Sequence, residues 1–140
     1  MYKLTIIGNL STDVTLNKRN WENERIDKTT GEVIHGQAEA NVANFTIAAN
    51  EGRGAYRQTQ FFRVAAWRGL AEICAKYLSK GRQVYIEGVP SLNNYVDKNN
   101  NLRSVIELRA DRVELLQDGK KVIATEDAVE EINEEEEPLY

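Results

Sequence analysis

Residues 59–88 read TQFFRVAAWRGLAEICAKYLSKGRQVYIEG, and the order of the remaining elements follows from them. The pattern is strand, helix, strand. Between Thr59 and Trp67 the side chains alternate between two faces, as a pleated strand requires. Phe62, Val64 and Ala66 share one face and suit a core, while Phe61, Arg63, Ala65 and Trp67 share the other. A buried face would not take Arg63 without a partner, and a plain solvent face has little use for two large rings. Two readings stand at this point. The outer face is either a platform on which unpaired bases stack around a phosphate-pairing cation, or an interface patch with a snorkelling arginine.

Outward from that stretch, the helical segment repeats Leu70, Ile73, Cys74, Tyr77 and Leu78 at helical spacing, with Gly81 as its C′ residue. It reads as a structural plug. Cys74 is the only cysteine, lies at no metal-ligand or nucleophile spacing and reads as a small packed residue. Gln83–Gly88 is the next strand, followed by Tyr95, a polar turn at 97–101 and a last strand over Leu102–Leu116, so that a long hairpin projects. Upstream, Tyr2–Gly8 and Asn41–Asn50 are strand-like. Residues 17–40 are polar, hold no sustained period and read as an inserted loop with a small hairpin around Thr30-Gly31. Trp21 in that segment is either a stacking ring or a pin that ties the loop down. EGRGAYRQ at 51–58 is a flexible basic loop with one ring, Tyr56, between Arg53 and Arg57.

The formal net charge of −4 conceals an asymmetry. Residues 126–140 carry eight acids and no lysine or arginine, which leaves 1–125 with 18 basic against 14 acidic residues, a net +4. A mildly basic body with an acidic tail fits a nucleic-acid binder. No apolar run approaches the roughly 18 residues of a membrane span, and no charged start leads into an apolar run, so a cytoplasmic setting without membrane contact is expected. Catalysis finds no support: Asp13, Glu39, Asp111 and Glu114 make no spaced set with the single histidine, His35, or with Cys74. No cofactor or metal is expected.

Five strands with one helix between the third and fourth is the order of an OB-fold, a small Greek-key barrel. The chain resembles the bacterial and phage single-stranded DNA-binding protein (SSB) family. The matching stretches are KLTIIGNLSTDV, NFTIAANE, the whole of 59–88, and the acidic end closed by Pro138-Leu139-Tyr140. The resemblance implies an OB-fold domain at 1–116 with 17–40 inserted, a linker at 117–125, and a disordered acidic tail at 126–140. It places stacking on Phe61 and Trp67 and, in the projecting hairpin, on Tyr95, where a tryptophan is usual. A further family tryptophan lands near Arg53, and Tyr56 is a substitute that does not align. Arg63 matches a family arginine and Lys3 a basic residue of the first strand, while Arg68-Gly69 stands where the family has Gly-Lys. Basic residues missing after the IEG turn imply a lower affinity unless Lys18, Arg19, Arg25 and Lys28 in the insertion make up for them, with Arg53, Arg57, Arg63 and Arg68 as further phosphate partners.

The function implied is sequence-independent coating of single-stranded DNA in replication, recombination and repair. The tail, Glu134, Glu135, Glu136, Glu137, Pro138, Leu139 and Tyr140, would recruit partner proteins of those processes. The resemblance also implies a homo-oligomer, a tetramer before a dimer, associated with the nucleoid of a bacterial cell or phage-infected host. The long insertion, short linker and altered tail end point to a phage or mobile-element member. The competing reading is an OB-fold adaptor that binds only proteins, with Phe61 and Trp67 in an oligomer interface.

Overall fold

The computed structural model describes residues 1–126 and 129–133. In β4 (Gln58–Trp67) the alternation is realised: Val64 and Ala66 are buried and Phe62 half-buried, whereas Phe61 and Arg63 are exposed. β4 pairs antiparallel with β3 (Val33–Glu51), Phe62 opposite Ile47 and Val64 opposite Phe45. Its other edge runs parallel to β6 (Leu102–Gln117), Val64 opposite Leu108. β6 is antiparallel to β5 (Gln83–Val96), and β5 to β1 (Leu4–Leu10). β1 returns to β3 through Asn9 and Leu10. The ring β1-β3-β4-β6-β5 is therefore closed, and the OB-fold barrel expected from the element order is present.

Closure needs close backbone approaches. At Gly8 a Cβ would lie 2.5 Å from the Ala48 carbonyl oxygen. At Gly88, beside the register shift in β5, a Cβ would run into the backbone of Arg109. Only glycine fits either position.

Helix α1 (Gly69–Tyr77) lies between the third and fourth strands of the ring and plugs one end of the barrel. Leu70, Ala71 and Cys74 are buried, while Ile73 and Tyr77 pack partly against the same core. Complete burial of Leu70 contributes about 1.5–3 kcal/mol. Burial pushes the Cys74 thiol up to about 12, so it stays protonated and serves packing. The helix stops earlier than expected. Leu78 is already extended, and Gly81, at φ 90°, serves the turn into β5 instead of a helix cap. No helix among the described residues is long and apolar enough to cross a membrane.

Two segments differ from the sequence reading. Residues 17–40 are no loop with a small central hairpin: β2 (Thr15–Ile26) and the first half of β3 form a continuous twelve-rung antiparallel arm. Its tip is held by Asp27, whose carboxylate accepts from the backbone N–H of Thr29 at 2.8 Å, with Gly31 at φ 74°. That N–H holds the Asp27 carboxyl below the usual carboxylate range. The arm escaped the sequence because all of β2 is exposed. With neither face on the core, nothing imposes an apolar period, and the ladder extends outward from the barrel instead.

The second difference is at 117–125, read as a linker. Lys120–Thr125 is strand β7, antiparallel to β6, and Val122 and Ala124 are buried opposite Leu115 and Val113. The short VIA run is core material. The acidic stretch that follows begins with another strand, β8 (Val129–Asn133), paired to β7. The remaining residues of the expected tail, Glu134 to Tyr140, lie outside the described residues.

Candidate nucleic-acid interface

Side chains directly opposite in a ladder share a face, so register assembles this surface. Phe61, Arg63, Ala65 and Trp67 of β4 stand opposite Ala48, Thr46, Asn44 and Val42 of β3. Across the arm, Asn44 and Val42 stand opposite Thr15 and Asn17, and the same β2 row continues through Arg19 to Trp21. On the other side, the parallel rungs set Glu107 beside Arg63 and Arg109 beside Ala65. Four strands thus contribute to one face, with small or polar β3 side chains as a floor between two rows carrying rings and cations. Val42 is only 2% exposed although it lies outside the barrel core cluster, so the outer face has a packed layer of its own around Trp67.

The rings meet in pairs with other groups. Trp21 and Trp67 pack edge to face, centroids 6.3 Å apart and planes at 88°. The Arg63 guanidinium lies over the ring of Tyr95, 5.3 Å from its centroid, which ties the β5–β6 hairpin to β4. That hairpin ends in a turn where Asp97 accepts from Arg103 Nε and from the backbone N–H groups of Asn99 and Asn101, each at 2.9 Å. The Arg103 bond comes first in holding the Asp97 carboxyl below its ordinary 3.8. Phe61 is 58% exposed and Trp21 40%, so large ring area remains open to solvent.

Between the rows lie two hollows. One, of about 430 Å³, includes Arg19, Asn44, Thr46, Arg63 and Glu107 in its lining. The other, of about 260 Å³, is lined by Trp21, Trp67, Arg68 and Arg109. Arg68 reaches it from a strained backbone, φ 57° and ψ −127°, a conformation suited to glycine that costs a side chain about 1–3 kcal/mol. Its N–H donates to the Asn41 carbonyl at 2.8 Å, and its carbonyl accepts from the N–H of Ala71 at 3.1 Å. The turn from β4 into α1 is thereby held.

The structure gathers Phe61, Arg63, Trp67, Tyr95, Trp21, Arg19 and Arg68 on this side of the barrel. Tyr56, 86% exposed, sits on a single 3-10 turn (Gly54–Tyr56) between Arg53 and Arg57, past the Phe61 end of β4. Lys18 belongs to the opposite face of the arm from Arg19 and Trp21, and pairs with Glu39 at 3.3 Å. Lys3 precedes β1, which β3 separates from β4. Arg109 and Glu107 were missed from the sequence. No local signal marked them, because the rungs that set them beside Arg63 and Ala65 join segments distant in the chain. Among the described residues, no group of three His, Cys, Asp or Glu side chains could hold a metal ion.

The model of the single-strand binding protein family matches residues 1–116. Single-stranded DNA-binding protein 1 of Chlorobaculum tepidum is 37% identical over 91 residues, covering 61% of this chain and 46% of the relative. The single-stranded DNA-binding protein of Caldanaerobacter subterraneus subsp. tengcongensis is 38% identical over 79 residues, 54% of this chain and 53% of the relative. That of Bifidobacterium longum is 32% identical over 118 residues, 79% of this chain and 46% of the relative. The chain spans about half the length of these curated relatives.

Proposed function

The chain belongs to the single-strand binding protein family, and we propose that its barrel coats single-stranded DNA without reading sequence and without catalysis. The observation that carries this is the β4 row, two rings flanking Arg63 on an exposed sheet face, bordered by Trp21 and Tyr95. Bases would stack on Phe61, Trp67, Tyr95 and Trp21, at roughly 1–3 kcal/mol per base. Arg19, Arg63 and Arg68 would pair phosphates and release counterions, so affinity falls with salt. Tyr56, Arg53 and Arg57 would extend the path beyond Phe61. Lys18 and Lys3 lie off this face and would act only on a strand that wraps around the arm or barrel. Duplex DNA keeps its base faces covered and binds far more weakly.

The replication, recombination and repair setting, assembly into a homo-oligomer and recruitment of partner proteins by Glu134–Tyr140 extend this proposal by the family likeness. The phage or mobile-element reading extends it too, resting on the arm, since the short linker is a strand.

The test is quenching of tryptophan fluorescence by oligo-dT at low and high salt, with duplex of equal length as control. Quenching by the single strand alone, weakened by salt and largely lost in Phe61→Ala/Trp67→Ala, is the expected result. Unchanged fluorescence together with no retention of oligo-dT in a gel shift would sink the reading and favour a protein-binding adaptor.

A further inference from the structure

The hollow lined by Trp21, Trp67, Arg68 and Arg109 lies where the arm, β4, β6 and the start of α1 converge. Each lining residue arrives by a separate route. Trp21 comes along β2, Trp67 ends β4, Arg68 is turned in by its backbone, and Arg109 is set two rungs beyond Arg63, opposite Ala65, by the parallel pairing. In an edge-to-face pair, the ring that supplies the edge keeps both of its own faces clear of its partner. Trp21, still 40% exposed, offers open ring area against which a flat aromatic guest can lie.

One of the lining residues, Arg109, already has an anion beside it. Glu126, just past the end of β7, brings Oε1 to 3.7 Å from Arg109 Nη2. That oxygen is shielded from solvent and has no hydrogen-bond partner among the described residues. The ion pair is thus too long to be a hydrogen bond, and the carboxylate has given up water at this atom without replacing it. The carbonyl oxygen of Glu126 sits over Gly69, where a Cβ would come within 3.3 Å, so the segment is seated on the first residue of α1. An arginine that holds its carboxylate weakly and lines a hollow with two indoles marks where an oxyanion attached to an aromatic group would bind better.

We propose that this hollow is a one-nucleotide site at the arm end of the DNA path. The base stacks on the Trp21–Trp67 pair, the phosphate is taken by Arg68 and Arg109, and Glu126 pairs with Arg109 until the phosphate displaces it. The inference rests on the single-strand-binding reading above and deepens it, by adding Arg109 as a phosphate anchor and Glu126 as its internal competitor.

Titration of the full chain with labelled oligo-dT at several salt concentrations tests it, in wild type, Arg109→Gln, Glu126→Gln and the double variant. Arg109→Gln should weaken binding up to about fivefold and flatten the salt dependence by about 0.7 in log-log slope, the loss of one phosphate contact. Glu126→Gln should tighten binding by about two- to fivefold, and this gain should vanish in the Arg109→Gln background. Trp21→Ala should shorten the occluded length by about one nucleotide and weaken binding at least about fivefold, with Trp21→Phe restoring most of both. Thermal melts establish that each variant is folded. Wild-type affinity in folded Arg109→Gln overturns the site, and so does an equal gain from Glu126→Gln in both backgrounds, which would mean that only net charge matters. A wild-type chain that does not bind oligo-dT overturns the underlying reading, whereas binding that none of these variants alters overturns the hollow alone.

Discussion

β2 and β7 both widen the sheet beyond the five-stranded ring, yet opposite forces hold them. β7 buries Val122 and Ala124 against the barrel and leaves its lysines outside. β2 buries no residue at all; its twelve rungs on β3 are held by the ladder, by cross-strand pairs such as Lys18–Glu39 and by the contact of Trp21 with Trp67. A strand can be made by the core it covers or by the strand it copies. Only the first kind is needed for the barrel to stand, and the second is free to carry function.

The largest effect should come from breaking the first kind. Val122→Asp would bury a charge with no partner and cost on the order of 3–5 kcal/mol, read as a lower urea midpoint with loss of folded protein at moderate temperature. Arg68→Gly sharpens the contrast from the functional side. Relief of the strained backbone should stabilise the barrel by about 1 kcal/mol and raise the melting temperature, while oligo-dT binding weakens. A variant that is neither more stable nor weaker in binding would show that the strain serves nothing at this face. Replacing residues 20–39 by an Asn-Gly turn between Arg19 and Ala40 should change stability by less than about 1 kcal/mol, because two-residue turns of this kind close a hairpin well. The same variant should lose Trp21-dependent quenching. Loss of the fold on this excision would end the distinction between the two strands.

The smallest effect concerns the two hairpin tips. Asp27 and Asp97 both have carboxyls held below 3.8, Asp27 chiefly by the Thr29 N–H and Asp97 chiefly by Arg103. A depressed folded value means that their stabilisation is present above 3.8 and is lost as pH falls through the folded values. Amide protection at Thr29, Asn99 and Asn101, taken relative to the intrinsic exchange rate at each pH, should therefore fall in acid before that of β4, and Asp97→Asn should abolish this pH dependence at the β5–β6 tip.

Legibility followed burial. The run from Phe61 to Gly88 could be read because every second residue of β4 and one stripe of α1 meet the core, and that contact leaves a period in the sequence. The arm left none, since both its faces meet water. β7 was hidden for another reason, because its apolar run is only VIA and charged residues flank it on both sides. Among the site residues, Phe61, Arg63 and Trp67 could be taken from one strand, whereas Arg109 belongs to a strand more than forty residues later. Trp21 could be named, but whether it stacks or pins could not. The structure puts it against Trp67 and still 40% exposed.

By itself the sequence determined the class of the barrel, the inner and outer faces of β4, the helix that plugs it and the charge contrast between body and tail. The class of the barrel comes from the resemblance of its element order to an OB-fold, whereas the other three are local properties, set by period, turn chemistry and composition. Only the tertiary structure decided that β4 closes on β6, that the polar insertion is a templated arm, that the supposed linker is a core strand, and that Glu126 meets Arg109. Each of these depends on register between distant segments, and register follows from how the whole barrel closes.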